Sequence, residues 1–167
     1  ILSMSRLTSD GINDNKYRDE IVLRYADTTQ RLWTINRLTT EHYLWGIAET
    51  SNISPIEYIK SIIVAARTYA LYHYLNPYKY NGYFTMKATT ADQLYRGYQS
   101  ELRRSRVVQA VNETKGQVIT YGGDIVVTPY YGHSDGATRS WSSVFGGKDK
   151  AWLVPVLTPY DAGLSMF

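Results

Sequence analysis

Chemistry in this chain must come from carboxylates, imidazoles, guanidiniums and hydroxyls, because there is no cysteine. Disulfides and thiolate metal sites are therefore excluded, and the redox compartment is left open. The three histidines, His42, His73 and His133, are scattered and form no His-Glu-x-x-His spacing, so neither a metal site nor a cofactor is expected. Glu49 is the only carboxylate between Gly46 and Pro55. It closes a segment that reads as a helix and is flanked by apolar Trp45 and Ile47. A carboxyl at the negative pole of a helix, beside apolar groups, has its ionised form disfavoured, as a general acid at neutral pH requires. The plainer reading is a solvated glutamate at a helix end. Arg67 falls inside an apolar helix. A buried guanidinium needs partners, so it either makes a structural ion pair or hydrogen bonds to a loop, or positions Glu49 or a substrate.

The elements that would hold these groups follow from periodicity. Residues 1–16 are polar and read as a loose lead-in. Apolar and polar residues alternate over 17–26 and 31–38, with Asp27-Thr28-Thr29 between them, which predicts a hairpin. Thr39-Thr40-Glu41 opens a helix that carries Tyr43, Leu44 and Ile47 and ends near Glu49. Ser54, Pro55 and Glu57 have the spacing of a capping box, with Ser54 as cap and Glu57 reaching back. The helix that follows runs to Asn76-Pro77. It bears Ile59, Ile62, Ile63, Ala66, Ala70 and His73 on one stripe and Tyr58, Ala65, Tyr69 and Tyr72 on another, which predicts a central, buried element.

Beyond it come a loop or short strand over 77–88, a turn and short helix over 90–99, and a helix over 104–114 with Val107, Val108 and Val111 inward. Strands over 117–121 and 124–131 flank Gly122-Gly123, a hairpin turn by type. A polar loop over 132–138 and a final strand over 152–157 complete the reading. The order implies an α+β fold: a strand hairpin, central helices, then a strand-rich C-terminal part around one core.

The composition, 44% hydrophobic and 20% charged, can bury a core. No apolar run reaches membrane-spanning length, and the start at Ile1 lacks the basic and apolar regions of a signal peptide. A net charge of +3 suits an anionic partner such as a cell wall and falls short of a nucleic-acid footprint. The densest basic piece, Arg103, Arg104 and Arg106, reads equally well as a solvated helix start. Tyrosine is over-used, with 16 residues. Its apolar face and polar tip suit sugar rings, protein interfaces and sheet edges alike.

Three blocks in order carry a resemblance. The first is Tyr43-Leu44-Trp45-Gly46-Ile47-Ala48-Glu49, followed by Ser54-Pro55-Ile56-Glu57-Tyr58-Ile59-Lys60 and Val64-Ala65-Ala66-Arg67-Thr68-Tyr69-Ala70-Leu71. The second is Asp92-Gln93-Leu94-Tyr95-Arg96-Gly97. The third runs from Ala110-Val111-Asn112-Glu113-Thr114-Lys115-Gly116 through Tyr130 to Ser134-Asp135-Gly136-Ala137-Thr138. From about residue 17 onward the chain resembles the catalytic domain of the SpoIID/LytB family.

The resemblance implies an extracytoplasmic protein of the cell wall that cleaves peptidoglycan glycan strands as a lytic transglycosylase. It implies Glu49 as the catalytic acid, in the register counted back from Pro55; counted on from Gly46, Glu49 lies two positions short of the family's spacing. Glu49 would protonate the bridging oxygen and then draw a proton from the sugar's own 6-hydroxyl, closing a 1,6-anhydro ring. Ordinary glycoside hydrolysis uses two carboxylates; Asp92 and Asp135 remain as second candidates, while Glu57 is accounted for by the cap. Arg67, Gln93, Tyr95, Ser134 and Thr138 are implied to hold substrate, each with a structural role as its alternative. Relatives continue past the position of Phe167 into a Gly-His-Gly block, so the domain is expected to be incomplete at its C-terminus. LytB-type relatives enhance an amidase. The second reading is therefore a non-catalytic glycan-binding or amidase-enhancing module, with a cell-wall amidase or envelope assembly as partner. A third is a purely structural domain.

Overall fold

A computed structural model describes residues 1–3 and 14–161, which divide into two units, Ile1–Thr128 and Pro129–Phe167. In the first unit the lead-in is tied down at both ends. Strands β1 (Leu2–Ser3) and β2 (Lys16–Tyr17) pair antiparallel, Leu2 opposite Tyr17. The hairpin follows as expected, β3 (Glu20–Ala26) against β4 (Arg31–Arg37), with Glu20 opposite Arg37 and Ala26 opposite Arg31. No glycine serves its turn; Gln30 takes the left-handed conformation at φ 51°, and Thr29 N donates to Ala26 O at 3.2 Å.

Helix α1 spans Thr40–Trp45, with Thr39 as its cap. It stops one turn before Glu49 because tertiary pairing claims the next backbone groups. Gly46 O accepts from Arg96 N at 2.9 Å, Ile47 bridges Tyr95, and Ala48 N donates to Leu94 O at 2.7 Å.

Helix α2, Ile56–Leu75, is the long central helix. The capping box does not form. Pro55 is the cap, without a side-chain bond, and Ser54 N instead closes a turn onto Ser51 O at 3.3 Å. Glu57 is exposed and pairs with Lys60 Nζ at 2.9 Å, which also reaches Glu113 at 2.7 Å. Ile59, Ile63, Ala66 and Ala70 are buried, whereas Ile62, His73, Ala65, Tyr69 and Tyr72 are half-buried and Tyr58 is exposed. The helix thus buries one stripe, against α4 (Ser105–Glu113) and α1. Helix α4 offers Val107, Ala110 and Val111; Val108, about 100° around the helix from Val107, is only half-buried.

Between these lies α3 (Tyr98–Arg103), started by Gly97 at φ +71°. A Cβ there would stand 2.7 Å from Lys16 O, a backbone atom that cannot swing away. Gly97→Ala is therefore expected to lower the unfolding free energy by about 1–3 kcal/mol, from left-handed strain plus steric overlap. A shift in the urea midpoint at unchanged slope would show it; a midpoint like the parent's would refute it.

Strands β5 (Thr120–Tyr121) and β6 (Asp124–Ile125) turn at Gly122-Gly123, both with positive φ. They are far shorter than 117–121 and 124–131, because the flanking residues are tied to α2 instead, one through its backbone and one through its side chain. Ile119 N donates to Thr68 Oγ1 at 2.9 Å, and Thr128 Oγ1 donates to Ala65 O at 2.8 Å.

The second unit, described to Asp161, contains α5 (Trp141–Phe145), which periodicity did not suggest, and a 3-10 turn at Pro159–Asp161. The strand expected over 152–157 is reduced to a bridge, Ala137 with Leu157. None of its described hydrophobic side chains is buried, so it has too little apolar contact to extend a sheet. The fold class is α+β as read, with its helices carrying the core and the C-terminal strands thin.

Candidate functional site

Glu49 sits on the loop between α1 and α2, half-buried, four residues past the last residue of α1. It lies beyond the C-terminal pole of α1, which ends at Trp45. What holds it is the paired backbone of residues 46–48 and 94–96. Glu49 Oε1 accepts from Leu94 N, and Oε2 makes no hydrogen bond to the described residues. One carboxyl oxygen is anchored and the other meets no donor among the described residues, which is a workable posture for an acid that must meet a substrate oxygen. Gly46 keeps the loop close. A Cβ there would stand 2.4 Å from Tyr95 Cε2 and 3.1 Å from Gly97 O.

The residues expected to hold substrate are mostly occupied internally. Arg67 is fully buried and spends all five N–H groups. Nε and Nη2 grip Glu41 at 3.0 and 2.9 Å, Nη1 reaches Thr114 Oγ1 and Gln117 O at 3.3 and 3.2 Å, and Nη2 also reaches Val111 O at 3.2 Å. It clamps α1, α2 and the end of α4 together and has no donor left for a sugar. Gln93 is buried as well, accepting from Tyr43 OH at 2.8 Å and donating to Ala66 O at 3.2 Å. Tyr95 stacks on Tyr43 with centroids 5.2 Å apart and donates to Asn36 Oδ1 at 2.8 Å. Burial pushes its phenol well above the usual tyrosine range. Gln93 and Tyr95 flank Leu94, in the segment whose backbone pairs with residues 46–48 beside Glu49.

Ser134 and Thr138 belong to the second unit. Ser134 N and Oγ donate to Asp161 Oδ2, each at 3.0 Å, and Ser134 Oγ also meets Thr158 Oγ1. Thr138 exchanges two 2.8 Å bonds with the Val156 backbone. Both close this unit's small ladder.

Of the remaining carboxylates, Asp135 is exposed and pairs with Arg139. The Asp92 side chain is out of solvent and saturated: it accepts from Lys79 Nζ, Tyr80 OH, Lys87 N at 2.8 Å and Tyr69 OH at 3.3 Å. Its role is to fasten the 77–92 segment to α2. Burial opposes its charge, but the bonds from Lys79, Lys87 N and Tyr80 win and hold it below the usual carboxylate value of 3.8. A depressed native pKa gives stability that is present above the unfolded value and lost as pH falls through the native one. Acid unfolding of the parent is thus expected to draw on Asp92 at and below about pH 4. Asp92→Asn should lower stability at pH 7 and flatten that acid limb. An unchanged pH–stability curve would count against it.

Two features had no usable sequence signal. Glu41, the partner of Arg67, lies 26 residues away with no periodic relation to it. A groove of about 970 Å³ runs between the β3–β4 hairpin, the end of α2 and residues 82–89, walled by Trp33, Tyr43, Tyr74, Tyr83, Phe84 and Tyr95. Glu49 does not line it. Among the described residues no group of three or more His, Asp or Glu side chains is placed to hold a metal ion, and no helix is long and apolar enough to cross a membrane.

A hairpin leading into a short helix, a Glu-bearing loop paired with an Asp-Gln-x-Tyr segment, and a buried Arg on a long central helix are the features that hold this site. Residues 28–121 match the SpoIID family, described as Stage II sporulation protein, and the chain belongs to this family of cell-wall-related sporulation proteins. It is also similar to an uncharacterized protein of Brachyspira hyodysenteriae, 34% identical over 163 residues and 94% of this chain. The chain spans 40% of that relative's length.

Proposed function

We propose that this chain cleaves peptidoglycan glycan strands outside the cytoplasm by a lytic transglycosylase mechanism, with Glu49 as its single acid and base. The observation that supports the reading best is the Glu49 carboxyl itself, anchored through Oε1 and open at Oε2 on a loop pinned to a neighbouring segment. The Oε2 proton passes to the bridging oxygen as the glycosidic bond breaks. The resulting carboxylate then takes the proton of the sugar's 6-hydroxyl as that oxygen bonds to the anomeric carbon. No water and no second carboxylate enter, which agrees with the engagement of Asp92 elsewhere.

The test is to incubate the chain and Glu49→Gln with peptide-free glycan strands and analyse the products by mass spectrometry. Anhydro-ended saccharides from the parent alone are expected. Strands left intact by the parent would sink the reading. A second reading, a glycan-binding or amidase-enhancing module of the envelope, is favoured by the internal engagement of Arg67, Gln93, Ser134 and Thr138. Its signature is strand capture by both proteins with cleavage by neither.

A further inference from the structure

The Glu49 loop is fastened to a cluster of arginines. Arg104 Nη1 donates to Thr50 O at 2.7 Å, which puts its guanidinium beside the residue that follows Glu49. Arg106 N donates to Asn52 Oδ1 at 2.9 Å, so the loop and the α3–α4 junction form one piece. Arg103 reaches the fully buried Asp14 at 2.6 Å, and Arg96 stands 4.0 Å from the same carboxylate. Glu101, on α3, is gripped bidentately by Arg18.

Arg104 is therefore a half-buried cation with no carboxylate partner among the described residues. Its remaining N–H groups make no bond to them. Burial, and then the nearby charges of Arg103 and Arg96, work against its protonated form, and the charge of Asp14, shared with Arg103 and Arg96, offsets them only in part. Guanidiniums crowded in this way are relieved by an anion, and the planar fork of N–H groups suits a carboxylate in particular.

We infer that the α3–α4 junction is an anion subsite next to Glu49, in which Arg104, backed by Arg103 and Arg96, binds the carboxylate of an acid-bearing sugar. This rests on the glycan reading of Glu49. In a peptide-free peptidoglycan strand every second sugar carries a lactyl carboxylate and its neighbours are neutral. An anion subsite at one end of the loop thus sets the register, so that Glu49 meets one of the two alternating linkages and not the other.

The experiment measures binding of peptide-free strands, and of the same strands with their lactyl carboxylates converted to amides, to the parent, Glu49→Gln, Arg104→Gln and Arg104→Lys. The parent and Glu49→Gln are expected to bind the carboxylate strands about ten-fold more tightly than the amidated ones at low salt. The gap should close near 1 M salt, where the Debye length is about 3 Å. Arg104→Gln should abolish the gap and Arg104→Lys keep part of it, with circular dichroism confirming that each variant is folded. Equal binding of the two strands by the parent overturns the inference, as does binding of neither, whatever the variants do. A gap without strand cleavage leaves the subsite standing and removes the transglycosylase reading. Cleavage without a gap removes the subsite alone.

Discussion

Arg67→Ala is expected to cost about 3–5 kcal/mol of unfolding free energy, the largest loss among the substitutions considered, because it strips a buried charge network of its centre. Glu41 would be left with a side chain only 23% exposed and no counter-charge, and the carbonyls of Val111 and Gln117 would lose a donor. A domain of this size has about 5–15 kcal/mol to lose, so the variant should sit near the edge of folding at 37 °C. Glu41→Ala should cost a comparable amount for the complementary reason, an unpaired buried guanidinium. The double variant should lose less than the sum of the singles, since the charge orphaned in each single variant is then absent. Urea unfolding of the three variants measures all of this. A loss below about 1 kcal/mol for Arg67→Ala would mean that the clamp contributes little.

Glu49→Gln is expected to lower the strand-cleavage rate by about 10²–10⁴-fold while leaving the fold intact. The amide keeps an oxygen that can accept from Leu94 N and removes the proton that the bridging oxygen requires. The loss should fall on kcat, because the proton moves in the transition state and not on binding. Glu49→Asp is a useful companion. It keeps the acid but is shorter by one methylene, so it cannot hold the Leu94 amide and reach equally far. Its rate should lie between parent and amide. Stability should change by no more than about 0.5 kcal/mol in Glu49→Gln, which separates this effect from that of Arg67. An amide variant that cleaves at the parent's rate would remove Glu49 from the chemistry.

The elements that strong local signals specify were legible without coordinates. The alternation that forms β3 and β4, the apolar stripe of α2 with its stop at Asn76, and the paired glycines at 122 and 123 all act through short-range geometry. The boundaries that failed did so where distant segments competed for the same backbone groups. Helix α1 ends early because residues 94–96 take the hydrogen bonds of 46–48. The capping box is lost because Glu57 finds Lys60, while Ser54 closes a turn. The late strands shrink because Thr68 and Ala65 on α2 engage the backbone and side chain next to them.

By itself the sequence determined the family, the α+β order, the central helix and the position of Glu49 in a loop-bordering motif. It also required that Arg67, on an apolar helix, have partners. Only the tertiary structure decided what those partners are. It chose Glu41 and the end of α4 for Arg67, the Tyr80 and Lys79 donors for Asp92, Asp14 for Arg103, and the Thr50 carbonyl for Arg104. The physical reason is that periodicity reports which face of an element leaves water, whereas a charge is satisfied by whichever donor or acceptor the packed chain brings within about 3 Å, at any separation in sequence.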